Sequence, residues 1–322
     1  MYIGSIRFFK HLILTVIALM IIIPTAGCVF LAHQYNNLKI QSAAKIDALA
    51  STVPTALSEE SVSAQPGDED KKAGSSFVVY AADKPPETQE TPTPSFPYQS
   101  AYPELYVDND FKYVAETEKT AYLTFDDGPT KLTPKILDIL KSKGVKATFF
   151  VKYQGSDEAK ALYRRIVDEG HTLALHTASH DYKKIYQSVD SFLADYAILS
   201  DMLEDVTGVK PDIFRFPGGS INSYNKEIYQ ELIAEMLRRG YTYYDWDVSA
   251  GSSTSTATAA AIYSNVINGI SGRQRAIILM HDAGTSATVT ALPDIIDTLK
   301  ASGYKLEVLN RTIKPSCFGY SN

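Results

Sequence analysis

The chain has 322 residues, a net charge of −6, and a composition that is 45% hydrophobic and 21% charged. That length holds one large domain with extensions or two modest ones, and the balance excludes wholesale disorder, collagen-like repeats and a coiled coil. No basic excess points to a nucleic-acid partner. Two cysteines, Cys28 inside an apolar run and Cys317 near the C-terminus, make neither a disulfide scaffold nor a cysteine-rich zinc site.

In chain order, residues 1–11 come first and carry Arg7 and Lys10. Residues 12–32 (LILTVIALMIIIPTAGCVFLA) hold no charge. As a helix they extend roughly 31 Å, close to the hydrocarbon thickness of a bilayer. The two preceding cations put the N-terminus in the cytoplasm. The run is therefore expected to be a single-pass anchor in the cell membrane, with the rest of the chain extracytoplasmic. A cleaved signal peptide and a lipoprotein site at Cys28 are the other readings, and they leave the body of the chain on the same side. Residues 33–117 show no sustained apolar period. They include an acidic-basic cluster at 68–72 and the Pro/Thr/Glu-rich stretch DKPPETQETPTPSFPYQ. Such sequence buries too little apolar area to offset chain entropy, so it reads as a stalk, with room for a short helix near 38–50.

From residue 118 to about 315 the pattern changes. Strands are predicted at 121–125, 147–151, 171–175, 213–216, 241–246, 276–280 and 305–309. Helices are predicted at 133–143, 157–169, 188–207, 224–239, 256–270 and 289–301. Strands alternating with helices imply a parallel sheet wrapped by helices. About 200 residues is short for a complete eight-stranded barrel of ~250 residues. The expected fold is therefore α/β, a distorted (β/α) barrel of seven strands.

Ionisable residues collect at the C-terminal ends of those strands, where such folds place their active sites. Asp126 and Asp127 follow the first strand, His176 and His180 the third, Arg215 the fourth, and His281 and Asp282 the last long apolar strand. Two imidazoles four residues apart would share one face of a helical turn, which suits a divalent metal. A pair of surface or capping histidines gives the same spacing. Two adjacent carboxylates repel unless one is neutralised. A metal on one and proton transfer by the other resolves this, and an Asx turn ahead of Gly128-Pro129 is the bland alternative. His171 reads as structural and Trp246 as core packing.

TFDDGP (124–129), HTASH (176–180), RFPGG (215–219) and LMH (279–281) occur in the order and spacing of the NodB-type polysaccharide deacetylases, carbohydrate esterase family 4, which the chain resembles from about 118 to 310. The resemblance implies a metal triad of Asp127, His176 and His180, usually filled by zinc, with cobalt, nickel or manganese as other occupants. It implies Asp126 as catalytic base, Arg215 as the arginine that orients it, and His281 as general acid. Leu279 resembles the residue lining the acetyl-methyl pocket, and a backbone N–H near Gly218 is expected to assist the oxyanion. The implied substrate is an acetylated glycan. The anchor and stalk narrow this to peptidoglycan N-acetylglucosamine, acted on by a monomer. Acetyl-xylan, chitin oligomers, N-acetylmuramic acid, or a catalytically weak wall-binding role are the alternatives. One motif departs: Ser252-Ser253 stands where the family often carries Asp-Trp, whose Asp supports the acid histidine. Asp247 and Asp282 are the candidates to take over that support.

Overall fold

The computed structural model describes residues 96–284 and 286–319. The apolar run 12–32 and the stalk as far as residue 95 lie outside the described residues. Among the described residues, no helix is long and apolar enough to cross a membrane.

Eight parallel strands form the sheet: β1 (Thr120–Asp126), β2 (Thr148–Lys152), β3 (Thr172–Thr177), β4 (Ile213–Phe214), β5 (Thr242–Tyr243), β6 (Val248–Ser249), β7 (Arg275–His281) and β8 (Lys305–Glu307). Seven follow the order β5-β4-β3-β2-β1-β7-β6, and β8 joins the lower half of β1 off this path. The result is a seven-strand curled half-barrel. The sheet ends at β5 on one side and β6 on the other. The helices are α1 (Thr133–Ser142), α2 (Asp157–Asp168), α3 (Tyr182–Ile185), α4 (Val189–Thr207), α5 (Tyr229–Arg238), α6 (Ala259–Gly269) and α7 (Ala287–Ala301). Serine side chains accept a first-turn N–H at two of their N-termini, Ser156 from Ala159 and Ser188 from Ser191.

Successive side chains of a strand point to opposite faces, and that alternation separates two cores. Ala121, Leu123 and Phe125 of β1 join Phe149, Val151, Leu173, Leu175, Ile278 and Met280 against the helices. Tyr122, Phe150, Ala174, Ile213, Tyr244 and Ile277 meet inside the curl and plug its lower end. Continuing the inner series by twos reaches Thr124 and Asp126, His176, Arg215, and Leu279 and His281. The parity that builds the plug thus delivers five of the expected site residues to the upper mouth.

The folded body starts earlier than residue 118. Leu105 is fully buried. The buried Arg239 guanidinium donates to the carbonyls of Tyr98, Ala101, Tyr102 and Leu105 at 2.8–3.3 Å. Asn109 donates to Gly240 O at 2.8 Å. Residues 97–109 lack an apolar period because they are held by a buried arginine and by main-chain contacts rather than by their own side-chain pattern. The C-terminal end also runs past 315. Ser316 O accepts from Asp245 N at 2.9 Å, and Phe318 N donates to Asp245 at 2.7 Å. This segment runs beside the sheet edge at β5.

Candidate active site

β1 and β7 are paired through seven residues, and Asp126 lies opposite His281 in that register. Asp126 is 3% exposed and Arg215 is fully buried. The Arg215 guanidinium donates to Asp126 Oδ1 at 2.7 Å and to Thr124 Oγ1 at 2.8 Å. It also donates to Tyr244 O at 2.8 Å and Asp245 O at 3.2 Å, and it lies 4.1 Å above the Phe150 ring. Four bonds and a ring face fix its position, so Asp126 is addressed by a cation that cannot swing away.

Strand parity would turn Asp127 away from Asp126. Its φ of +75° breaks the extended run and brings the carboxylate back over the mouth. His180 shares this feature, with φ of +54°. Left-handed backbone costs a non-glycine residue roughly 1–2 kcal/mol, and such strain gathers at functional sites. His176 is the next-to-last residue of β3, and His180 follows in a turn rather than one level up a helix. The two rings face each other with centroids 5.4 Å apart. The predicted helical HxxxH geometry is therefore replaced by a strand end and a turn that reach the same convergence.

Asp127, His176 and His180 place one ligand atom each within 4.8 Å of one another. His180 Nε2 is 3.1 Å and His176 Nε2 3.8 Å from Asp127 Oδ1. That oxygen is buried and has no hydrogen-bond partner, although Lys152 Nζ approaches to 3.5 Å. His176 Nδ1 lies 2.9 Å from Arg215 O, which fixes the ring and turns Nε2 toward the acid. Burial, and next to it His176, push His180 down to about 4, so it is a neutral imidazole at neutral pH. Burial pushes the Asp127 carboxyl up, but His176, Lys152, His180 and His281 outweigh it and hold it below the usual carboxylate value. A carboxylate held below its usual value, with a bare buried oxygen beside two imidazoles, fits a divalent ion such as zinc.

His281 is supported by neither predicted carboxylate. Asp282 is turned into the body, accepting from Thr130 Oγ1 at 2.8 Å and from Thr133 Oγ1. Asp247 accepts from Ile277 N and Ser316 Oγ, both at 2.8 Å. The partner is Ser252 itself. Its Oγ lies 3.1 Å from His281 Nδ1 and accepts the His281 N–H at 2.8 Å. A hydroxyl can donate to the neutral ring or accept from the charged one, but it brings no negative charge. Burial lowers the His281 pKa, against the pull of Asp126 and Asp127.

Leu279 is 4% exposed and two residues below His281 on the same inner face. Gly218 sits at φ +76°, where an added Cβ would come 2.8 Å from the Tyr182 ring. Tyr182 in turn packs edge-on to His180, with centroids 5.3 Å apart. The Gly218 loop is therefore a wall of the Asp127, His176 and His180 cluster. Asp245 holds it there through Ser220 N at 2.8 Å and Ser220 Oγ at 2.5 Å. Trp246 packs against the inner core as expected, but it is only partly buried and also meets Phe318 at 4.8 Å, beside Gly219. His171 is structural as expected, accepting the Ala147 N–H at 3.1 Å. The sequence reading missed Asp245, Tyr182 and the hydroxyl role of Ser252. Only a buried-looking acid after a strand, at Asp245, left a trace in the pattern.

Acid–base groups across the mouth from a three-ligand cluster define a hydrolase-type site. A profile of the polysaccharide deacetylase family matches residues 113–237. A putative polysaccharide deacetylase, YheN, of Bacillus subtilis is 39% identical over 204 residues, covering 62% of this chain and 70% of that one. A peptidoglycan-N-acetylglucosamine deacetylase of Bacillus cereus is 31% identical over 204 residues, covering 61% and 71%. The catalytic domain of a peptidoglycan N-acetylglucosamine deacetylase from Eubacterium rectale superposes with a TM-score of 0.61 at 34% identity, covering 66% of this chain and 97% of that one. The chain belongs to the polysaccharide deacetylase family, the NodB-type carbohydrate esterases of family 4, and is by class a hydrolase of amide bonds.

Proposed function

We propose that this chain is a divalent-metal-dependent deacetylase of cell-wall glycan that removes the N-acetyl group of peptidoglycan N-acetylglucosamine. The observation that carries the reading is the bare, buried Asp127 Oδ1 facing two imidazoles, beside an Asp126 held by Arg215. Asp127, His176 and His180 would hold the ion, which would supply Lewis-acid chemistry for the attack of water on the acetyl group. Asp126 takes the proton of that water, and Arg215 keeps Asp126 aimed. His281, opposite Asp126, gives its Nε2 proton to the departing amine, because an amide nitrogen leaves poorly unless protonated. Leu279 lines the pocket for the methyl group, and the Gly218 main chain donates to the developing oxyanion. The products are acetate and a glucosamine unit. The homology of the peptidoglycan deacetylases supports the substrate. Residues 12–32, as a membrane anchor, would hold the catalytic domain against the wall.

The full-length chain, purified in detergent, is expected to release acetate from N-acetylated peptidoglycan fragments, to stop with chelator and to resume with zinc. Acetate release compared across peptidoglycan, chitin oligomers and acetyl-xylan separates the glycan alternatives. No release from any of them after zinc loading contradicts the reading. The uncharged Ser252 favours a second reading, a slow homologue that binds the wall. Glycan binding without measurable turnover would support it.

A further inference from the structure

The loop that carries His180 is gripped from outside the cluster. Asp195 stands on α4, fifteen residues beyond His180, and is 8% exposed. Its Oδ1 accepts from Thr177 Oγ1 at 2.5 Å and from Ala178 N at 2.6 Å, and its Oδ2 accepts from Ser179 N at 2.9 Å. The same Thr177 hydroxyl accepts the His180 N–H at 3.2 Å. One carboxylate therefore bonds three consecutive residues, 177–179, and reaches the fourth through a hydroxyl relay. Those four residues are the whole path from the end of β3, where His176 is fixed, to His180.

Three donors converging on one side chain require acceptor oxygens on both of its arms, and a carboxylate supplies them. An amide of the same shape offers one oxygen and two N–H groups, so at least one of the three loop donors would meet a donor. The need for a clamp is visible in the backbone. His180 is a non-glycine residue in the left-handed region, a conformation that persists only where the surroundings over-determine it.

We propose that Asp195 is a positioning residue for the metal centre: by binding residues 177–179 it holds the His180 backbone in the left-handed conformation that turns the imidazole toward Asp127. This rests on the metal-site reading above and extends it to a residue that touches neither ion nor substrate. Asp195 acts on ion affinity by pre-paying the ordering of one ligand. Removing it leaves His176 and Asp127 in place while His180 samples other conformations.

The test is zinc affinity of the full-length chain, measured by competition with a chromophoric chelator, alongside the melting temperature of the metal-free protein. Asp195→Asn is expected to weaken zinc binding on the order of 10–100-fold, as loss of a ligand's outer support does elsewhere. Thr177→Val, which breaks the relay while keeping the shape, is expected to do the same in direction. Thr177→Ser, which keeps the hydroxyl, is expected to bind zinc within about three-fold of the parent, well inside that range. If Asp195→Asn does not fold, the Thr177 pair decides by the same criterion. Zinc affinity unchanged in Asp195→Asn and Thr177→Val overturns the proposal, including where both merely lower the melting temperature. In that case a parent that binds zinc and releases acetate leaves the functional reading standing. A parent that binds no zinc overturns both.

Discussion

The Asp126–Arg215 pair is a buried ion pair inside the curl, and its two halves are unequally supported. Arg215 keeps three hydrogen bonds, to Thr124, Tyr244 and Asp245, if Asp126 is neutralised. Among the described residues, the hydrogen bond recorded to the Asp126 carboxylate comes from Arg215. Arg215→Met therefore strands a buried carboxylate and three oxygens, a loss of about 3–5 kcal/mol. Asp126→Asn leaves an arginine still well bonded and should cost about 1–2 kcal/mol. For a body of this size the first corresponds to a fall in Tm of roughly 10 °C and the second to about 4 °C. The double variant Arg215→Met/Asp126→Leu should regain most of the loss, since neither charge is left alone, while acetate release stays abolished. Chemical denaturation of the metal-free chain measures all three. Asp126→Asn as costly as Arg215→Met, or a double variant no better than Arg215→Met, would refute the asymmetry drawn here.

Three further outcomes follow from individual contacts. Ser252→Asp places a negative charge at His281 Nδ1, which favours the imidazolium and opposes the burial that lowers its pKa; the alkaline limb of the kcat/KM profile should move to higher pH, and an unmoved limb contradicts the assigned acid. His171 is held neutral in the fold, its pKa pushed down to about 4 by burial and then by Lys146, from an ordinary 6.5. The unfolded chain therefore binds the extra proton between pH 6.5 and about 4, so stability is full above that window and falls as pH drops through it, by at most about 3 kcal/mol; His171→Gln should flatten this slope in urea titrations, and an identical slope refutes it. Gly218→Ala forces a Cβ into the Tyr182 ring at positive φ and should cost about 1–2 kcal/mol from backbone strain, with acetate release falling because Tyr182 bears on His180; unchanged turnover would remove that wall from the site.

Much of the site was legible because strand parity is a two-residue rule. Once β1, β3 and β7 were placed, Asp126, His176 and His281 had to share the inner face. Asp127 and His180 escaped that rule. Both reach the cluster through left-handed backbone, which apolar periodicity does not encode, so a helix was the natural but mistaken frame for HTASH. The strands expected at 213–216 and 241–246 are shorter in the structure, because β4 and β5 pair with each other through two residues and then bend to deliver Arg215 and Asp245. β6 was missed for the same reason, being two residues long. The helix drawn from 224 starts at Tyr229 because the Asn222 and Asn225 side chains bond each other's backbone N–H in place of a helical turn. Residues 97–117 read as stalk because their anchors, Arg239 and Gly240, lie more than 120 positions away. Asp195 was silent for the same reason: nothing in a helix sequence says that one of its acids faces a distant loop.

The central claim is tested most directly by metal stoichiometry at the three-ligand cluster. The full-length chain dialysed against cobalt should hold one ion per polypeptide, with the visible absorption of a site of mixed imidazole and carboxylate ligands. Asp127→Asn and His180→Ala should lose the ion, whereas Asp126→Asn and His281→Gln should keep it while losing turnover. An ion retained by the first pair, or lost by the second, would contradict the division of labour between Asp127 and Asp126.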